Sequence, residues 1–223
     1  MALRVKICGI TDVAQGKEIA AIGASALGFI CVPSSPRYVT ASRIGEIVAA
    51  LPSDVAKIGV FANADWETIV ETASIANLTG IQLHGDESWE YIDRLKQILP
   101  DQETIKVCRP KTIEDLRLLN TYASLVDTFL IDAYHPQQLG GTGQTADWQM
   151  LADFHPQRPW LLAGGLTPDN VVAALSQLHP DGIDLSSGVE NSPGNKDLAK
   201  VTALFANLAT FQEDDRQANA VVL

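Results

Sequence analysis

Cys8 ends an apolar run, Val5-Lys6-Ile7-Cys8, and is followed at once by Gly9. A thiol becomes a competent base when its thiolate is stabilised. A cysteine inside a strand is otherwise a small hydrophobe. Asp132 ends a second run, Phe129-Leu130-Ile131-Asp132. A carboxyl group there suits a general acid or base, and the plainer reading is a cap for the next loop. Arg37 follows Ser34-Ser35-Pro36, and its guanidinium fork can pair both oxygens of a carboxylate. A solvated surface arginine is the ordinary alternative. Two segments carry glycines that let backbone amides approach an anion, Ala163-Gly164-Gly165-Leu166 and Asp184-Leu185-Ser186-Ser187-Gly188-Val189-Glu190. A third, Leu139-Gly140-Gly141-Thr142-Gly143-Gln144, is long enough to act as a lid. Gln82 and His84 share one side of a short run, where a single histidine is more often a hydrogen-bonded wall residue than a catalyst. Cys108 is a rival thiol to Cys8. Cys31 has the opposite parity from Gly28 and Ile30, which points to core packing.

Eight β-rich runs must position these groups: Arg4–Gly9, Ala26–Val32, Ala56–Ala62, Gly80–Gly85, Glu103–Pro110, Thr128–Tyr134, Pro159–Gly165 and Gly182–Gly188. Each gap between them is long enough for a crossover helix, as parallel pairing demands. Helical stripes fill several gaps: Ile44, Ile47, Val48 and Leu51; Ile69, Val70, Ala73 and Ala76; Trp89, Ile92, Leu95 and Ile98 before Pro100. Asp12, Asp65, Ser88 and Thr167-Pro168-Asp169 supply helix starts. Eight strand–helix units predict a single-domain α/β chain, a (β/α)8 TIM barrel over residues 1–209. An open doubly wound sheet would carry a glycine-rich phosphate turn after its first strand, and Gly9-Ile10-Thr11 is not one. Residues 210–223 read as a polar, frayed tail.

Alternation within strands sorts faces. Arg4, Lys6 and Cys8 oppose Val5 and Ile7. Gln82 and His84 oppose Ile81 and Leu83; Lys106 and Cys108 oppose Ile105 and Val107; Asp184 and Ser186 oppose Ile183 and Leu185. The polar sets are expected on the barrel axis and the apolar sets against the helices. Active sites of such barrels lie at the strand C-termini, with phosphate sites after strands seven and eight and a short extra helix, for which Asn191-Ser192-Pro193-Gly194 is the candidate.

The composition removes other classes. Sixteen Lys and Arg against 27 Asp and Glu leave a net charge of −11, with no basic run longer than two residues, which argues against nucleic acid. No stretch reaches ~18 consecutive apolar residues, and the start lacks the apolar segment of a secretory signal. Three cysteines in apolar surroundings read as reduced thiols of a cytoplasmic protein.

Taken together, these segments resemble the phosphoribosylanthranilate isomerase family. The matching stretches are Val5-Lys6-Ile7-Cys8-Gly9-Ile10-Thr11, Leu27-Gly28-Phe29 with Ser35-Pro36-Arg37-Tyr38-Val39, and Gly59-Val60-Phe61. Gln82-Leu83-His84-Gly85, Asp132 with Gly140-Gly141-Thr142-Gly143, Ala163-Gly164-Gly165-Leu166 and Asp184 to Glu190 follow in family order, over about residues 5–197. The resemblance implies an Amadori rearrangement of phosphoribosylanthranilate in tryptophan biosynthesis. Cys8 then matches the general base, Asp132 the general acid and Arg37 the grip on the anthranilate carboxylate. Gly165 and Gly188 match phosphate-binding turns. Gln82, His84, Gly141, Gly143, Gly164, Asp184 and Ser187 complete the substrate-binding set. Neither metal nor redox cofactor is implied, and the family form is more often a monomer than a homodimer. Two departures are visible: Ala146 where Phe is frequent, which bears on the base of the lid, and Cys31 where an aromatic is common. Another phosphosugar barrel is the competing enzyme, a histidine-pathway isomerase or an indole-glycerol phosphate synthase. The first pairs two aspartates, where this chain has Cys8. The second needs rim Lys and Glu, and Lys6 and Lys106 lie deeper. A binding module that keeps the phosphate turns without acid or base is the non-enzyme alternative.

Overall fold

The computed structural model describes residues 3–132 and 148–220, with side chains as far as Glu213. Eight parallel strands close into a barrel: β1 (Arg4–Cys8), β2 (Ala26–Ile30), β3 (Ala56–Phe61), β4 (Gly80–Leu83), β5 (Glu103–Cys108), β6 (Thr128–Ile131), β7 (Trp160–Leu162) and β8 (Gly182–Leu185). β1 closes the ring by pairing with both β2 and β8. Helices α1 (Val13–Ile22), α2 (Ala41–Val48), α3 (Trp66–Ala76), α4 (Trp89–Ile98), α5 (Ile113–Leu118), α6 (Trp148–Leu151), α7 (Val171–Leu175) and α8 (Leu198–Ala220) follow the strands in turn.

Seven strands begin at the residue predicted, and β7 begins one later. All eight end one to three residues earlier than expected, because the last residues of each run leave the ladder to build the mouth. Asp12, Asp65 and Ser88 cap α1, α3 and α4 by accepting from the N–H three residues on. Thr167-Pro168-Asp169 instead forms a turn, and α7 starts only after Asn170. The polar segment after residue 209 continues α8 to Ala220 rather than fraying at once. Its Gln, Glu, Arg and Ala content favours helix, and Phe211 packs against the core.

The core has two compartments. Between strands and helices lies a large cluster that includes Ile7, Phe29, Phe61, Phe129, Ile44 and Ile92. Inside the barrel, Ala26, Ile58, Ile105, Val107, Leu130, Leu161 and Ala163 form a separate apolar plug. Beneath it, Arg4 donates to both carboxylate oxygens of Glu103, at 2.7 Å from Nη2, and Thr128 donates to the same group.

The plug corrects the expected facing of β5. Ile105 and Val107 point to the axis, while Cys108 packs with the outer cluster. Lys106 lies outside the plug and donates to the carbonyl of Gly85 and to Glu87 at 2.7 Å. A buried ion pair keeps this lysine off the axis, so polarity alone misassigned the strand.

Candidate active site

One cavity of about 620 Å³ opens at the C-terminal ends of the strands. Cys8 from β1, Arg37 beyond β2 and the pair Gln82 and His84 at the end of β4 line it. Asp132 beyond β6, Gly164 and Gly165 beyond β7, and Asp184, Ser187 and Gly188 from β8 onward complete the ring of expected residues. Gly141 and Gly143, with Ala146, lie outside the described residues. Cys31 and Cys108 do not line the cavity; burial pushes their thiols up to about 12 and about 11. Cys108 is therefore not a rival to Cys8.

Cys8 is buried, 5% exposed, at the inner end of the cavity. Burial pushes its thiol up, while the ammonium groups of Lys6 and Lys196 pull it down and Asp184 pushes it up again. Lys6 is fully buried on the same strand face and donates to Asp184 at 3.0 Å. Burial acts against the charge on Lys6, but Asp184 and Cys8 outweigh it and hold the ammonium above its usual value. Asp184 itself is pushed up by burial, against Lys6.

Asp132 is 8% exposed and stands three strands from Cys8 around the ring, through β7 and β8. Its backbone N–H donates to the carbonyl of Cys108, which fixes the first residue beyond β6. Nε2 of His84 approaches its carboxylate to 3.4 Å, and Nδ1 of His84 meets the Gln82 amide at 3.3 Å. Gln82 Oε1 and His84 Nε2 are buried and have no hydrogen-bond partner among the described residues. Buried polar atoms of this kind ordinarily find a partner, and a polar ligand in the cavity would supply one. The loop carrying His84 is pinned from below: Glu87 accepts from the N–H groups of Gly85 and Asn63, and Lys106 holds its other oxygen.

Arg37 does not project bare into the cavity. Nε and Nη2 form a fork on Glu190, with Nη2 at 2.6 Å, and Lys196 donates to the same carboxylate at 2.7 Å. Burial works against Glu190's charge, yet Arg37 and Lys196 hold its carboxyl below the usual range. Nη1 of Arg37 makes no hydrogen bond among the described residues. Glu190 and Lys196 were not singled out in the sequence. Glu190 sat unassigned at the end of a glycine-marked segment, and nothing in the spacing marks Lys196.

The two glycine turns meet at the cavity wall. Gly164 and Gly165 have φ of 83° and 60°, and their N–H groups bond to no acceptor among the described residues. Ser187–Val189 forms a short 3₁₀ turn. A Cβ on Gly188 would run into the carbonyl of Leu166, so only glycine lets these turns pack together. This turn, rather than residues 191–194, is the short helical element beside the expected phosphate position. Residues 191–194 belong to a hairpin, β9 (Glu190–Ser192) with β10 (Asn195–Lys196), because Pro193-Gly194 makes a tight reversal with Gly194 at φ 79°.

Residues 5–207 match the family model described as N-(5'phosphoribosyl)anthranilate (PRA) isomerase. The chain is 60% identical over 208 residues to the N-(5'-phosphoribosyl)anthranilate isomerase of Trichormus variabilis, covering 93% of this chain and 99% of that protein. It is 57% identical to the protein of that name from Crocosphaera subtropica, covering 92% and 98%. Among solved structures, the phosphoribosyl anthranilate isomerase of Thermotoga maritima matches with a TM-score of 0.84 and 33% identity, covering 92% of this chain and 98% of that one. A phosphoribosyl anthranilate isomerase in complex with reduced 1-(o-carboxyphenylamino)-1-deoxyribulose 5-phosphate matches with a TM-score of 0.79 and 32% identity, covering 92% and 98%.

Proposed function

The chain belongs to the N-(5'-phosphoribosyl)anthranilate isomerase family, and from this we infer that Cys8 is the base and Asp132 the acid of its reaction. The enzyme converts N-(5'-phosphoribosyl)anthranilate to 1-(2-carboxyphenylamino)-1-deoxyribulose 5-phosphate, an Amadori rearrangement in tryptophan biosynthesis. The observation that carries the residue assignment is a single cavity with a buried thiol on one side and a buried carboxyl three strands away.

Opening the ribose ring needs a proton on the ring oxygen, which Asp132 delivers. The open form is an iminium, whose positive nitrogen acidifies the neighbouring C2′ proton. The Cys8 thiolate removes that proton, and the resulting enolamine tautomerises to the ketone. Nη1 of Arg37 takes the anthranilate carboxylate. The N–H groups of Gly164 and Gly165, with the turn at Gly188, take the phosphate, where glycine permits close approach. Gln82 Oε1 and His84 Nε2 are left for sugar hydroxyls. A monomer is the working unit we favour, the form that the family resemblance implies more often than a homodimer. Sedimentation as a dimer would overturn that. A cytoplasmic location fits three free cysteines.

Turnover of freshly prepared phosphoribosylanthranilate tests the assignment. Cys8→Ala and Asp132→Asn should each lose at least ~10²-fold in kcat, the usual loss on removing an acid or base. Cys108→Ala, on the outer face, should stay close to wild type. Near-wild-type turnover in either of the first two variants would remove that residue from its role.

A further inference from the structure

We propose that Lys6 is a positioning residue for the reaction: its buried ammonium, held by Asp184, is the counter-ion that lets the Cys8 thiol ionise. The proposal rests on the reading of Cys8 as the base.

The geometry is specific. Lys6 and Cys8 are two residues apart on β1 and share the axial face. A Cβ on Gly28, in the neighbouring strand, would lie 2.7 Å from Cys8 Sγ and 3.0 Å from Lys6 Nζ. The two groups therefore close over the same glycine, and a side chain there would collide with both. An ammonium has three donors, and the carboxylate of Asp184 takes one of them at 3.0 Å. The thiol is the remaining nearby group able to use its charge.

A buried thiolate is expensive without a counter-ion. Several groups act on Cys8. Lys6 faces it from β1, Asp184 from β8 and Lys196 from β10. Cys31 lies beyond β2, and Arg37 packs over Gly9. His84 and Asp132 act on Asp184, which in turn faces Cys8. Lys196 is largely engaged elsewhere, at 2.7 Å on Glu190 and 3.3 Å on the carbonyl of Ser186. Lys6 is thus the dominant cation. It keeps its proton throughout. The thiol first loses its own proton to water at the mouth; the thiolate then accepts the C2′ proton, and the electron pair of that C–H bond passes to the iminium.

The alternative is a buried ion pair that only fills the barrel. Alkylation of Cys8 by iodoacetamide across pH separates the two, with the modified peptide quantified so that Cys31 and Cys108 do not contribute. In Lys6→Met the midpoint should rise by at least about one pH unit, a tenfold fall in thiolate at neutral pH. In Asp184→Asn it should fall, because the ammonium then has only the thiol to neutralise. Lys6→Arg should hold the midpoint near wild type. In turnover, Lys6→Met should lower kcat about tenfold at neutral pH, recover as pH rises, and change KM little. A midpoint unmoved in Lys6→Met overturns the proposal, whatever happens to activity.

Removing Lys6 alone leaves Asp184 buried and unpaired, which can prevent folding. The double variant Lys6→Met with Asp184→Asn removes both charges, and its midpoint should lie above that of Asp184→Asn alone; an equal midpoint overturns the proposal. Failure of the base reading looks different: Cys8→Ala would keep its turnover while the alkylation midpoints still moved.

Discussion

Arg37 enters the cavity with a carboxylate already on its guanidinium, since Glu190 holds Nε and Nη2. On the proposed reading, a substrate carboxylate would meet the third nitrogen of a fork fixed in orientation. Arg37→Lys keeps the charge but cannot serve both carboxylates from a planar group. Its KM should rise roughly tenfold or more with a smaller change in kcat, read from saturation curves, as expected for losing a charge-assisted bond. Part of the mouth was legible from type and parity alone. Cys8, Gln82, His84 and Asp184 follow the alternation of strands whose polar face is the axis. Lys106 and Cys108 broke that rule, because an ion pair with Glu87 makes the outer face tolerable for a lysine. Lys196 and the role of Glu190 were not legible, since their meaning depends on a contact between the loop after β2 and a hairpin 153 residues later.

At the level of elements, strand starts were readable because glycine and polar breaks precede them, and three caps were readable from Asp12, Asp65 and Ser88. Strand ends were not, because the pattern does not mark where the chain leaves the ladder: Cys31-Val32 continues the apolar run of β2, and His84 continues the alternation of β4. The turn at Gly188 is the element on which the mouth most depends. Gly188→Ala forces a methyl into the Leu166 carbonyl, so the turns after β7 and β8 must part. It should lower stability by about 1–3 kcal/mol and raise KM roughly tenfold for the phosphorylated substrate. Thermal melts and saturation kinetics measure both. A variant with wild-type KM would show that this turn does not carry the phosphate. The exposed Trp89 shows the limit of periodicity: it continues the apolar stripe of α4 but lies in solvent at the first turn, 58% exposed.

For the whole molecule, eight repeated strand–helix units sufficed to predict closure, but not that the barrel would hold its own apolar plug between an ionic floor and a polar mouth. Two of the buried ionic links tie loops to that frame, Glu87 with Lys106 and Glu190 with Arg37 and Lys196. Burial disfavours both charges, but their cations win, and both carboxyls lie below their ordinary value of 4.5. A depressed folded pKa gives stability that is present above the unfolded value and is lost as pH falls through the folded one. The melting temperature should therefore hold above about pH 5 and drop below it. Glu87→Gln should melt lower at neutral pH, by on the order of 3 kcal/mol, yet decline less steeply on acidification. The same linkage reaches ligand binding through Glu190. A second carboxylate arriving at Arg37 divides one guanidinium between two anions and so raises the proton affinity of the pair. Binding of a substrate analogue in mildly acid solution should then draw a fraction of a proton from the buffer. Calorimetric heats of binding would depend on the buffer's ionisation enthalpy, and they should lose that dependence in Glu190→Gln.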